Sequence, residues 1–89
     1  MYPGGFDDAD DLAGFVKAMT DHLIELGFDE AATQLNDWAR TSFTTSSEFL
    51  GELGAVCNRV MERDGARLPP CLTEDLERCI RAHREAFAR

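Results

Sequence analysis

Apolar residues recur along this chain at steps of three and four, and no stretch alternates long enough to make a convincing strand. Leu12, Phe15, Val16, Met19, Leu23 and Leu26 share one stripe of a helical surface, the pattern of an amphipathic helix. It predicts a helix over about residues 8–26. Asp7 or Asp8 serves as N-cap, and further acids in the first turn suit the helix dipole. Gly27 stands where a left-handed residue ends a helix. Phe28 then packs back, and Asp29 caps a second helix to about residue 40, with Ala31, Leu35, Trp38 and Ala39 on its apolar face.

The stretch TSFTTSS, residues 41–47, reads as a polar loop anchored by Phe43. Thr45 and Glu48 stand at capping-box spacing, which starts a third helix near Ser46. This helix runs to about residue 63 and carries Phe49, Leu50, Leu53, Val56, Cys57, Val60 and Met61. At about 100° per residue they cover close to half its circumference, so it is expected to touch two neighbours and lie centrally. Gly51 and Gly54 sit at or just beyond the edge of that arc. Each costs about 1 kcal/mol relative to alanine inside a helix, which implies close approach of another backbone, from this chain or from a partner. Gly65 ends the helix, and LPPCL forces an extended turn. Thr73 caps a fourth helix, with Leu72, Leu76, Cys79, Ile80, His83 and Phe87 on one side. The fold expected is all-α: a compact four-helix antiparallel bundle, helices about 8–26, 30–40, 46–63 and 73–88, with residues 1–89 forming a single helical domain.

Charge changes this picture more than composition does. The net charge is −8, and residues 1–30 hold eight acids against Lys17 alone. Residues 61–89 balance six acids with six arginines. The field of the first third repels nucleic acid and anionic membranes, so neither is an expected direct partner. No apolar run is long enough to span a bilayer, and no secretory signal is visible. The three cysteines, Cys57, Cys71 and Cys79, are odd in number. They read as small apolar fillers in a reducing compartment, so the expected location is cytoplasmic.

Candidate chemistry is sparse. FDDADD, residues 6–11, packs four carboxylates beside an aromatic. Residues 7–11 fit D-D-x-x-D, which holds magnesium in prenyl-diphosphate enzymes. The chain is too short to build the cavity that motif needs, and it has no second acidic motif. A calcium loop fails because Leu12 stands where a third oxygen ligand is required. His22 and Glu25 lie at i, i+3, but the di-iron order is Glu-x-x-His on two helices. Cys79 and His83 lie at i, i+4, a spacing that suits zinc or a thiol–imidazole pair. Both point into the middle of an apolar arc, which favours a buried cysteine beside a hydrogen-bonded core histidine. No cofactor, metal or catalytic set is implied, and catalysis is the minority reading.

LGFDEAATQL, residues 26–35, resembles the LisH motif, a helical hairpin used for dimerisation. Leu23, Gly27, Phe28, Ala32 and Leu35 match. The family's threonine is Ala31 here and its tyrosine is His22. Any tight helix–glycine–helix turn gives much of the same pattern, so no function is carried over.

The expectation is therefore a non-enzymatic module that binds another, basic protein through its acidic first third. The surface comprises Phe6, Asp7, Asp8, Asp10, Asp11, Asp21 and Glu25, with Tyr2 alongside. Carboxylates speed encounter and aromatics supply contact area. A toxin-neutralising (immunity- or antitoxin-like) or nuclease-inhibiting role is the sharpest form of this idea. The alternative is a homodimeric module using the hairpin of residues 23–35 or the Gly51/Gly54 edge, and a third reading is a small thiol or metal enzyme at Cys79 and His83. The chain is expected as a monomer or a homodimer.

Overall fold

The described residues form four α-helices, α1 Ala9–Glu25, α2 Asp29–Arg40, α3 Ser46–Asp64 and α4 Pro70–Phe87, with short 3-10 turns at Pro3–Gly5 and Gly65–Arg67. The computed structural model describes residues 2–88, and among these there is no strand. None of these helices is long and apolar enough to cross a membrane.

The helix starts follow from local side-chain chemistry. Asp8 is the N-cap of α1 and accepts from the Asp11 backbone N–H at 2.8 Å. Thr45 caps α3 by accepting from the Glu48 N–H at 3.1 Å. Between α1 and α2 the chain makes a Schellman turn. The Phe28 N–H donates to the Leu23 carbonyl at 2.9 Å and the Gly27 N–H to that of Ile24 at 3.1 Å. Gly27 has φ +85°, the left-handed conformation that this turn requires.

α1 and α2 form one hairpin and α3 and α4 another, with α2 against α3 joining them. α3 therefore touches two helices, as its wide apolar arc implied. Its partners on α4 fall in number as its own rise: Leu50 and Gly51 meet His83 and Phe87, and Cys57 meets Cys79, so the pair is antiparallel. The core is filled by Leu12, Val16, Met19 and Leu23 of α1, Leu35 and Trp38 of α2, Leu53 and Val60 of α3, and Leu72 and Leu76 of α4. Trp38 packs on Phe49 with ring centroids 4.7 Å apart and donates from Nε1 to the Phe49 carbonyl at 3.0 Å. Phe43 closes the cluster from the loop, as its anchoring role required. The Cα radius of gyration, 12.1 Å, is that of a compact chain of this length, about 12 Å.

The N-terminal segment is strapped across α4. The Gly4 N–H donates to Glu85 at 2.7 Å, and Arg78 Nε donates to the Gly4 carbonyl at 2.9 Å. A Cβ on Gly4 would lie 2.7 Å from that of Ala82, so only glycine permits the approach. At the opposite corner Arg63 pairs with Glu30, while Arg67 pairs with buried Asp64 and lies 5.6 Å over the Phe28 ring.

Five expectations need correction, the first being that Ala39 lies on the apolar face of α2: it is exposed on the outer side. α4 begins at Pro70, one turn before Thr73. Pro69 is extended, and Pro70 takes the first helical position, where its missing N–H costs nothing. Thr73 instead donates its hydroxyl back to the Pro70 carbonyl. Asp29 does not cap α2; Phe28 holds the cap position without a side-chain bond, because the Schellman turn already uses that residue. Leu26 is not part of the buried stripe but 46% exposed, since it lies past the last turn of α1. Gly54 is approached by a side chain rather than a backbone: a Cβ there would collide with the His83 ring.

Candidate functional site

The four carboxylates of FDDADD divide into two working and two surplus. Asp8 caps α1, and the Asp11 carboxylate reaches back to the Asp7 N–H at 3.0 Å, a reciprocal arrangement like a capping box. The carboxylates of Asp7 and Asp10 have no hydrogen bond or ion pair among the described residues, and both side chains are exposed. The opening cluster is thus a complete helix start with two additional negative charges.

Phe6 has to be withdrawn from the proposed contact surface. It is 1% exposed, meets Phe15 edge-on at 5.2 Å, and lies under the Arg78 guanidinium at 3.9 Å. Its aromatic area is spent inside the fold, where it anchors the strap. Tyr2 is half-buried, and its hydroxyl is sealed from water with no hydrogen-bond partner. Burial, then the Asp8 carboxylate, raise the pKa of this phenol.

Asp21 and Glu25 are exposed toward the far end of α1, and Asp21 forms a 3.7 Å surface pair with Lys17. From Asp10 to Asp21 is about 17 Å at 1.5 Å per residue. The acids therefore run the length of the helix and do not converge on a point.

The outer side of the α1/α2 hairpin carries a feature that apolar periodicity passes over. A groove of about 700 Å³ lies between the helices, open to solvent. Its walls include the small residues Ala13, Gly14, Ala32 and Ala39, with Lys17, Asp21 and Asp29 as its charged members. Ile24 lines it and is 55% exposed. Two signals in the sequence mark it: a glycine in the interior of α1, and an isoleucine lying off the buried stripe.

Cys79 and His83 occupy successive turns of the α3/α4 seam. His83 Nδ1 lies 3.0 Å from the Leu50 carbonyl, which can only accept, so the ring donates from Nδ1. Cys57 and Cys79 are buried against each other, while Cys71 is exposed. The hydrogen bond with Cys79, then burial, push the Cys57 thiol well up, so it stays protonated at neutral pH. Among the described residues no three metal-binding side chains come together. At the Gly51/Gly54 edge this chain's own His83 packs over Gly54, and Phe87, still 48% exposed, lies against Gly51.

Compared with known proteins, the chain matches no family model, no curated protein and no solved structure.

Proposed function

We propose that this chain is a non-enzymatic module that binds a basic protein through the acidic face of α1 and the start of α2. The observation that carries the reading is the exposed pair Asp7 and Asp10, which serve neither the cap nor an ion pair. They stand in a stretch of eight acids and one base. Like charges crowded together cost stability, so a sequence under folding constraints alone gains nothing from them. A lysine- or arginine-rich partner turns the same charges into faster encounter and selection against wrong partners. A basic protein that itself acts on nucleic acid fits this chemistry.

The experiment is affinity capture from native cells with the parent chain and with Asp7→Asn/Asp10→Asn, which leaves the Asp8–Asp11 arrangement intact. Capture is run at low salt and again well above about 0.15 M, where the screening length falls below about 8 Å. Basic proteins held at low salt, released at high salt and depleted on the variant support the reading. A captured set that is indifferent to both changes defeats it.

A further inference from the structure

We infer that the outer groove of the α1/α2 hairpin is the seat of one amphipathic, lysine- or arginine-rich helix of the partner; this rests on the preceding reading and adds the mode of binding to it. Gly14 lies in the interior of α1. A glycine inside a helix costs about 1 kcal/mol relative to alanine, and of the other two helical glycines only Gly54 is required by its surroundings, since a Cβ on Gly51 would make ordinary contact. Gly54 receives the His83 ring and Gly51 faces Phe87 at 3.7 Å. Gly14 has nothing within 4 Å of where its Cβ would be, and its φ is ordinary. It opens directly onto the groove, where Ala13, Ala32 and Ala39 also keep the walls low. Low walls between two antiparallel helices let a third backbone come within helix-packing distance, about 8–10 Å between axes.

Length and apolar content agree with a helix as the occupant. From Ala13 to Ile24 the groove follows α1 for about 17 Å, or roughly three turns of a docked helix. Ile24, more than half exposed, offers an apolar side chain at one end of the groove. Charge then selects between occupants. Asp21 and Asp29 line the groove, Asp10 lies one helical turn before Gly14, and Lys17 is the single base in the acidic third. A second copy docked by the same groove would set one acidic face against another. A basic helix would place its apolar side against Ile24 and the alanines while its lysines or arginines flank the carboxylates.

The test uses ¹⁵N-labelled protein and three synthetic peptides of about four turns each. One has leucines at helical i, i+3, i+4, i+7 spacing and lysines elsewhere. The second has the same composition with leucine and lysine alternating, and the third replaces lysine by glutamate. Saturable shifts at the amides of Gly14, Thr20, Ile24, Thr33 and Ala39, produced by the first peptide alone, are the expected result. Gly14→Leu projects into the groove from a Cβ position with nothing within 4 Å, and should weaken that binding at least about tenfold with unchanged circular dichroism. Asn36→Arg, on the exposed wall of α2, is the second variant and should weaken it through charge. Both lysine peptides binding equally, with shifts gathered at Asp7 and Asp10, would overturn the groove and leave the acidic-face reading standing. Lysine peptides that shift nothing at low salt would overturn both. Unchanged affinity of both variants would overturn the groove alone.

Discussion

At Gly54 a methyl group has no room, and the reason lies on another helix. The His83 ring occupies the place where a Cβ would go, held there by its bond to the Leu50 carbonyl one turn earlier on α3. Alanine normally improves a helix interior by about 1 kcal/mol over glycine. Here Gly54→Ala should instead destabilise by about 1–3 kcal/mol, the range for overpacking. His83→Ala should cost about 1–3 kcal/mol by itself, through the lost hydrogen bond and the space left behind. The double variant should be more stable than the two losses predict, with a coupling of more than about 1 kcal/mol in urea unfolding. Additive losses would mean that the ring does not sit over Gly54. The histidine's need for a hydrogen-bond partner was legible in its place on an apolar face. The identity of that partner was not, since it depends on how α3 and α4 cross.

The helices show why some boundaries can be read from a sequence and others cannot. Asp8, Gly27 and Thr45 act on backbone groups within four residues of themselves, so their chemistry is written locally. The start of α4 is ambiguous on the same terms, because Pro70 suits an extended turn and a first helical position equally well. The first turns of α4 also hold a titratable group that opposes folding at neutral pH. Burial, then the neighbouring Glu74, raise the pKa of Asp75, while His22 and Arg78 pull it the other way. A carboxyl with a raised pKa binds its proton more tightly folded than unfolded, so its ionisation weakens the fold as pH climbs through the folded pKa. Asp75→Asn should therefore stabilise the protein at pH 7. That advantage should shrink as the pH falls toward the ordinary value of 3.8, as measured by urea midpoints along a pH series. A difference that grows on acidification would contradict the assigned environment.

For the whole molecule, what matters is which parts are joined across long stretches of sequence. Phe6 reads as a surface aromatic because its neighbours in sequence are four carboxylates; it is buried because Arg78 and Phe15 enclose it. No local pattern contains that fact. The groove was equally illegible as a shape, since it needs the outer faces of two helices at once, although Gly14 was a legible irregularity. A chain of this size has roughly 4–13 kcal/mol of net stability, and Phe6→Ala removes a fully buried ring at a cost of about 3–5 kcal/mol. The loss should appear first at the strap, as faster hydrogen exchange of the Gly4 amide than of amides in the middle of α3. Equal acceleration everywhere would show that the strap and the bundle open as one unit.

The Gly4–Glu85 clasp also sets an order of events during synthesis. Its two ends are 81 residues apart, which at about 5–20 residues per second is roughly 4–16 s of ribosome time. During that interval Phe6 has left the peptidyl-transferase centre and its cover on α4 does not yet exist. A nascent chain halted before Arg78 therefore holds Phe6 against Phe15 without the guanidinium that covers it in the finished fold.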